Sequence, residues 1–276
     1  MHLQIEDKNL VIFESALWRT TTSLIISENY LLLVDPNYLP IELEFIQNYI
    51  DTNLPTHKKY LLFTHSDFDH IVAYGMFSEY ISIASEKFVN NPSIKKSLQS
   101  IHTFDEEHYI LRNYPIIYPE IVLVIHADQQ VLSIEEDQYL FIQAPGHNAD
   151  GLIAYNMSKN ILVVGDYLSN IEFPFIYHSV EAYLLVLDKI EKLVTEYPIR
   201  FLIAGHGDYT SEKTEIINRI AVARTYIIAL EKYVNNETLF DINSLLSQYN
   251  FSSAMRRCHE DNVRFLQKSV GIKRKL

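Results

Sequence analysis

A short apolar segment followed at once by four potential metal ligands is the feature that most constrains what this chain can fold into. Residues 61–63 (LLF) predict a buried strand, and His65, Asp67, Asp69 and His70 come directly after it. The end of a buried strand is where a rigid scaffold presents loop side chains to a site. Imidazole and carboxylate groups at this spacing suit zinc, iron or manganese. Taken alone, the segment is equally compatible with a polar loop that carries two unrelated histidines.

Three later segments repeat the arrangement of an apolar strand, a glycine and a metal-ligating side chain. They contain His147, Asp166 and His206, within the sequences APGH, VVGD and IAGHG. Glycine allows the tight turns and close backbone approach that a ligand leaving a strand edge often requires. The chain has only 7 glycines among 276 residues, and four of them flank these three side chains: Gly146, Gly165, Gly205 and Gly207. Their placement indicates that the three segments belong to one site.

The rest of the sequence predicts alternating groups of strands and helices. Strands are expected at residues 10–17, 21–27, 30–34, 59–64, 81–84, 121–126, 130–134, 139–144, 152–155, 161–164 and 200–204, with a hairpin turn at 27–29. Helices are expected at residues 40–49, 86–97, 179–196 and 211–234, and residues 239–268 are expected to be mostly helical. Such alternation over two halves of a chain indicates two sheets sandwiched between helices, an α/β (α+β) architecture.

No flexible or proline-rich linker and no internal repeat divides the chain. We therefore expect a single domain over residues 1–276, with C-terminal helices from about residue 211 onward. No export signal is visible at the start, and no apolar stretch approaches the roughly 20 residues of a membrane span. With Cys258 as the single cysteine, these features favour a cytoplasmic protein without a membrane partner.

Taken together, the four ligand segments resemble those of the metallo-β-lactamase-fold hydrolase superfamily. The signature of that superfamily is His-x-His-x-Asp-His, then Gly-His, a metal-bridging aspartate and a last Gly-His. All four blocks occur here in this order. The resemblance covers about residues 31–207, and it implies an αββα sandwich with a metal site between the two sheets.

Position by position, the resemblance implies the ligands of two divalent metal ions. His65 and His147 would bind the first ion, and Asp166 would bridge both ions. The second ion would be bound by Asp69, His70 and His206. Asp35 matches an acid that supports a ligand histidine in many relatives. A turn aspartate before a proline is an equal alternative for this residue.

One position, Asp67, departs from the family signature, which usually has histidine there. A carboxylate in place of an imidazole lowers the net positive charge of the site, which weakens its Lewis acidity and favours harder ions. Aspartate is also shorter than histidine, so Asp67 binds an ion either directly or through water. We expect two ions, zinc first, with manganese or iron tolerated because of Asp67. A single ion held by Asp69, His70 and His206 is the alternative.

The resemblance implies a hydrolase that uses a metal-bound hydroxide, with Asp69 as the catalytic residue that orients the nucleophile and passes on a proton. Cys258 follows His206 and cannot be the cysteine ligand of some zinc β-lactamases. A formal charge of −12 opposes binding to nucleic acid. A small-molecule ester, thioester, lactone or phosphoester remains as the substrate. Candidate substrate contacts, with core packing as the alternative, are Phe173, Phe175, Tyr177 and His178.

Two other functions stay open at this point. Asp67 favours a non-haem iron redox protein on the same fold, because the flavin-linked di-iron branch of the family also has a carboxylate at this position. A non-catalytic metal-binding protein is the other, although only one signature position is altered, and to another ligand type. The long helices after His206 could also pack against a second subunit, so a homodimer is compatible with the sequence.

Overall fold

The computed structural model describes the backbone of residues 1–273 and the side chains of residues 1–269. Within this part of the chain, the strands are β1 His2–Asp7, β2 Leu10–Glu14, β3 Thr21–Ile26, β4 Tyr30–Val34, β5 Lys58–Leu62, β6 Ile81–Ser85, β7 Leu123–Ile125, β8 Gln130–Ile134, β9 Asp137–Gln143, β10 Leu152–Asn156, β11 Ile161–Val163 and β12 Phe201–Ile203. The α-helices are α1 Pro40–Asn53, α2 Phe68–Ile71, α3 Glu86–Val89, α4 Ile94–Glu107, α5 Val180–Glu196, α6 Lys213–Val234, α7 Ile242–Leu246 and α8 Ser252–Lys273.

The strands form two sheets. The first contains β1 to β7 in chain order, antiparallel from β1 to β4 and parallel from β4 to β7. The second has the order β12-β11-β10-β9-β8 and is antiparallel except for the pair of β11 and β12. The hairpin predicted at residues 27–29 is confirmed, because β3 and β4 pair with Ser23 opposite Val34.

Three apolar clusters separate four layers of secondary structure. Successive strand side chains point to opposite faces, so Ile12 of β2 joins a cluster shared with Phe141 of the second sheet, whereas Phe13 packs with α1 and α4. The outer face of the second sheet packs against α5, α6 and α8. The molecule is therefore an αββα sandwich, as the sequence predicts. None of the helices within residues 1–273 is long and apolar enough to cross a lipid bilayer.

One local prediction is wrong and one strand was missed. The single helix expected at residues 86–97 is two helices, because α3 ends at Val89 and Pro92 precedes the start of α4. Residues 239–268 are mostly helical, as expected, and contain α7 and the greater part of α8. Strand β1 was not expected, since its residues are only partly buried at the edge of the first sheet and alternate weakly between apolar and polar types.

A buried ion pair of the second sheet forms hydrogen bonds to the first sheet at the turn between β3 and β4. Lys159 contacts the carboxylate of Asp137 and donates a hydrogen bond to Ser27 Oγ at 2.8 Å. The hydroxyl of Tyr30 donates to the same carboxylate at 2.7 Å. The Lys159 and Asp137 side chains are only 13% and 5% exposed. Burial raises the pKa of Asp137, but Lys159 and Tyr30 outweigh this effect and keep the pKa below its usual value.

Replacing Lys159 with methionine is expected to lower the free energy of unfolding by about 3 kcal/mol, because the buried Asp137 carboxylate then lacks its cation. Denaturant unfolding followed by circular dichroism measures the change. The matched control is Lys192→Met, which removes an exposed lysine paired with Glu196 and should change stability by less than about 1 kcal/mol. Equal effects of the two substitutions would contradict a stabilising role for the buried pair.

Candidate metal centre

The predicted ligands lie in four loops that follow β5, β9, β11 and β12. After β5 the chain turns into the short helix α2, which carries Asp69 and His70. His147, Asp166 and His206 follow β9, β11 and β12 within a few residues of each strand end. The loops come from both sheets, and their side chains meet along one edge of the sandwich.

The first ligand group consists of His65, Asp67, His147 and Asp166, whose ligand atoms lie within 4.8 Å of one another. His65 Nε2 is 3.6 Å from Asp67 Oδ2 and 3.6 Å from Asp166 Oδ2. His147 Nε2 is 3.1 Å and 3.4 Å from the same two oxygens. Four atoms placed tetrahedrally about 2.1 Å from a zinc ion lie about 3.4 Å apart. The group therefore has the dimensions of a four-coordinate metal site, and Asp67 reaches it directly.

The second ligand group consists of Asp69, His70 and His206, with Asp166 beside it. Asp69 Oδ2 is 3.6 Å from His70 Nε2 and 3.5 Å from His206 Nε2. Asp166 presents Oδ1 to His70 Nε2 at 3.2 Å and Oδ2 to His206 Nε2 at 3.5 Å. The Asp166 carboxylate thus touches both groups, as a bridging ligand would.

All four imidazoles point Nε2 into the site because Nδ1 is held from behind. His65 Nδ1 lies 3.0 Å from Thr64 Oγ1, and His70 Nδ1 lies 3.0 Å from Asp35 Oδ2. His147 Nδ1 lies 2.9 Å from the backbone carbonyl oxygen of Phe175, and His206 Nδ1 lies 3.1 Å from that of Trp18. Such outer partners fix the tautomer and orientation of metal-binding histidines.

Asp35 supports the site rather than serving only as a turn residue. It lies just after β4 and has a positive φ of 43°. Its Oδ1 accepts a hydrogen bond from the Thr64 backbone N–H at 2.9 Å, and its Oδ2 faces both the Thr64 hydroxyl and His70 Nδ1. One buried carboxylate therefore orients both the loop after β5 and a ligand histidine.

Asn148 orients the exceptional carboxylate of Asp67. Its Nδ2 donates to Asp67 Oδ1 at 2.6 Å, which leaves Oδ2 directed at His147 and His65. Asn148 was not predicted as a site residue, although its position directly after His147 was a usable signal. The Trp18 carbonyl was also not predicted, and a backbone acceptor leaves no signal in residue type. Its loop is unusual, with positive φ at Trp18 and Arg19.

Three buried polar atoms of the site have no hydrogen-bond partner among the described residues: His65 Nε2, His70 Nε2 and Asp166 Oδ1. Buried polar atoms are nearly always partnered, by ordered water or ions where protein groups do not serve. Nitrogen and carboxylate donors that converge in this way suit a divalent transition metal. The residues present therefore fit the metal ions that the sequence predicts.

Close packing of the backbone explains two of the glycine turns. A Cβ atom on Gly205 would lie 2.3 Å from Asp166 Oδ1 and 3.0 Å from His70 Cε1. Gly165 has a φ of +57°, and a Cβ there would lie 3.0 Å from Thr64 Oγ1. Any side chain at Gly205 would displace the Asp166 carboxylate, so this glycine is required for the site rather than for the turn alone.

Mutual electrostatics dominate the protonation of the metal-free site. Burial lowers the pKa of His65 and His206, but the neighbouring carboxylates outweigh burial and raise both to about 10. The pKa of His70 is raised in the same way. Burial raises the pKa of Asp166 and Asp67, yet the imidazoles hold both well below the usual value. Without a metal, protons on the histidines balance the carboxylates.

The four predicted substrate contacts occupy different surroundings. Phe173 is only 2% exposed, stacks on Tyr226 with ring centroids 4.5 Å apart, and lines a cavity of about 160 Å³ that reaches Asp166. Phe175 is partly buried against the core. The ring of Tyr177 is half exposed and lies 5.1 Å from that of His147. Tyr177 and His178 line a cleft of about 530 Å³ together with Asp67, Asn148, α3 and α4; we call this space the Asp67 cleft.

A family model places the chain among known proteins. The model of the metallo-beta-lactamase superfamily matches residues 17–206, which is more than half of the 276 residues. The chain therefore belongs to the metallo-beta-lactamase superfamily, and the resemblance seen in the sequence is confirmed. No protein with a curated function matches the sequence significantly.

Solved structures share the fold at low sequence identity. The inverting sec-alkylsulfatase of a Pseudomonas species matches with a TM-score of 0.69 at 12% identity over 96% of this chain and 49% of its own. A metallo-beta-lactamase family protein of Thermus thermophilus matches with a TM-score of 0.61 at 16% identity, over 92% of each chain. A superfamily protein of Sulfolobus tokodaii matches with a TM-score of 0.58 at 15% identity, over 95% of this chain and 100% of its own. The chain spans about half the length of the alkylsulfatase structures.

Metal affinity is expected to rise with pH. His65 and His206 carry protons below their pKa of about 10 in the metal-free protein, and a metal must displace these protons. Each displaced proton makes the association constant rise about tenfold per pH unit between pH 7 and pH 9. Competition with a chromogenic chelator measures it, after correction for the chelator's own protonation. A constant that does not change over this range would contradict protonated histidines in the metal-free site.

Proposed function

We propose that this protein is a metal-dependent hydrolase of small-molecule esters, thioesters, lactones or phosphoesters. The observation that carries the proposal is the convergence of four Nε2 atoms and three carboxylates, each imidazole held by a separate partner at Nδ1. So many buried ligand groups have no structural use without a cation, because burying charged groups together destabilises a fold unless they are compensated.

Two ions fit the site better than one. The first ligand group supplies two imidazoles and two carboxylates, and the second supplies two imidazoles and one carboxylate besides the shared Asp166. Asp67 Oδ2 lies 3.1 Å from His147 Nε2, so it can bind an ion directly despite its short side chain. We propose zinc as the first choice, with manganese or iron tolerated because three carboxylates favour harder ions.

Each residue of the site then has a separate role in the proposed hydrolysis. Bound divalent ions supply a water of lowered pKa and polarise the substrate oxygen. Asp69, on α2 at the second ligand group, orients the attacking water, accepts its proton and returns a proton to the leaving group. Asp35 and Asn148 keep His70 and Asp67 in place. Tyr177 forms a wall of the Asp67 cleft, where the substrate binds.

The structural neighbours support hydrolysis in general terms. They include a sec-alkylsulfatase and several proteins named as metallo-beta-lactamases. Sulfate esters therefore join the substrates to be tested. A small molecule rather than nucleic acid agrees with the net charge of −12. The homodimer and the cytoplasmic location stay predictions from the sequence.

One observation favours a second function. Asp67 gives the whole metal centre a third carboxylate, beside Asp69 and Asp166, and it lies close to His65 and His147. Three carboxylates suit iron, and a di-iron redox protein would use the same ligands. Iron as the metal bound on expression, together with oxygen consumption and no hydrolysis, would favour this alternative. A non-catalytic metal-binding protein would bind metal with neither activity.

Elemental analysis of protein purified without chelator is expected to find two metal ions per chain. Asp67→Ala should reduce the content to about one, because the first ligand group then keeps two imidazoles and only the shared carboxylate. Asp67→His, which restores the usual family residue, serves as the control and should retain two ions. One ion per chain that is unchanged in Asp67→Ala would exclude the two-ion site.

Hydrolysis is expected with at least one class in a chromogenic panel of esters, thioesters, lactones, phosphodiesters, sulfate esters and β-lactams, assayed with zinc, manganese and iron. Asp69→Asn should lower kcat about 1000-fold with the fold intact, since a positioned general acid–base group contributes roughly 10²–10⁴. Asp51→Asn is the matched control, because Asp51 is exposed and pairs with Lys59 on the surface. Full activity in Asp69→Asn would refute the catalytic role of this residue.

A further inference from the structure

The Asp67 cleft is lined by lysines and polar side chains that do not belong to the metal centre. Its inner wall contains Asp67 and Asn148, which border the first ligand group. Its outer wall is formed by α3 and α4, the two short helices on either side of the break at Pro92. A molecule that lies along the cleft therefore has one end at the metal ligands and the other end at these helices.

Two lysines project from the outer wall, Lys87 on α3 and Lys96 on α4, and both line the cleft. Within the part of the chain that the structure describes, neither ammonium group forms an ion pair or a side-chain hydrogen bond. Other lysines of the protein do, including Lys58, Lys59 and Lys189 with nearby acids. In a chain with 35 acidic and 23 basic residues, these two exposed lysines lie beside the same cleft without an acidic partner.

The other groups of the cleft suit an anion as well. Asn91, Ser93 and Ser97 add hydrogen-bond donors along the same wall. Lys96 lies in the first turn of α4, which contains no acidic residue, so the partial positive charge of the helix start adds to that of the lysine. Lys95 lies in the same first turn but does not line the cleft.

The acids of the cleft are less accessible to a bound molecule than its lysines. Among the described residues that line it, Asp67 and Asp150 are acidic. Asp67 faces the ligand histidines, and both carboxylate oxygens of Asp150 are buried, whereas the two lysines are exposed. Burial and Lys87 lower the pKa of His178 in the same cleft, and the effect of Lys87 exceeds the opposite effect of Asp150, which agrees with a positive potential beside Lys87.

We infer that the outer wall of the Asp67 cleft is a subsite for a remote anionic group of the substrate, bound by Lys87 and Lys96. The substrate is then an ester-type molecule with a carboxylate, sulfate or phosphate at the end opposite to the scissile bond. This inference rests on the proposed function for the identity of the bond that is broken. The subsite itself binds an anion whether or not that bond is hydrolysed.

Two matched pairs of probes test the subsite in the metal-loaded protein. The first pair is the 4-nitrophenyl monoester of glutarate and 4-nitrophenyl pentanoate, in which a methyl group replaces the remote carboxylate. The second pair, adipate and hexanoate, has no scissile bond, and its affinity is measured by isothermal titration calorimetry. The variants are Lys87→Ala/Lys96→Ala and the control Lys95→Ala, which removes an exposed lysine of α4 that does not line the cleft.

We expect the wild-type protein and Lys95→Ala to prefer the anionic member of each pair by about tenfold, because the two ammonium groups attract the remote anion. The double variant should lose this preference, and salt should weaken it in the wild-type protein. No preference in the wild-type protein, or a preference that the double variant retains, would overturn the subsite.

The two pairs separate this inference from the proposed function. Hydrolysis of both 4-nitrophenyl esters at equal efficiency, with adipate no tighter than hexanoate, would overturn the subsite and leave the hydrolase intact. Tighter binding of adipate that depends on Lys87 and Lys96, without hydrolysis of any ester, would support the subsite and refute the hydrolase.

Discussion

The structure depends on the burial of opposite charges in one small volume between two sheets. Asp69, Asp166 and four histidines are almost inaccessible to solvent, and the carboxylate oxygens lie 3.2–3.6 Å from the imidazole nitrogens. Like charges at such distances repel strongly in a poorly hydrated interior. The arrangement is stable only if the imidazoles and carboxylates alternate and if protons or metal ions balance the carboxylates. The groups that surround the site keep the imidazoles and carboxylates in these alternating positions.

The two sheets provide the rigidity that this balance requires. Each ligand loop follows the end of a buried strand, so the position of each ligand is set by a strand register rather than by the loop alone. The short backbone hydrogen bonds between loops continue this role: Gly205 N–H donates to the Gly165 carbonyl at 2.7 Å, and Thr21 N–H donates to the Gly205 carbonyl at 2.8 Å. The second bond joins the loop after β12 to the first sheet. Displacement of one ligand would therefore involve both sheets.

Residue type predicts the ligands far better than it predicts what orients them. His147 and His206 could be predicted as ligands because an apolar strand and a glycine precede each of them. A side chain that binds metal is also visible directly in the sequence as its residue type. Their Nδ1 partners are the carbonyls of Phe175 and Trp18, and every residue has a carbonyl. The αββα layers could also be predicted, because the alternating apolar strands are visible in the sequence. The break between α3 and α4 could be predicted only in part. There a proline was visible, but the sequence did not predict that α3 already ends at Val89.

Asp67 has consequences for both the metals and the substrate because of where it lies. Its side chain is 30% exposed, whereas that of Asp69 is 11% exposed and the ligand histidines are at most 7% exposed. Asp67 is thus the ligand at which the metal centre opens into its cleft. An aspartate occupies less volume than a histidine, so the exchange both adds a negative charge and widens the cleft at its inner end. The added charge weakens the attraction of the metal centre for an anion, while the lysines attract one at the outer wall. The cleft therefore favours a substrate whose negative charge lies at the outer end, away from the bond that meets the metals.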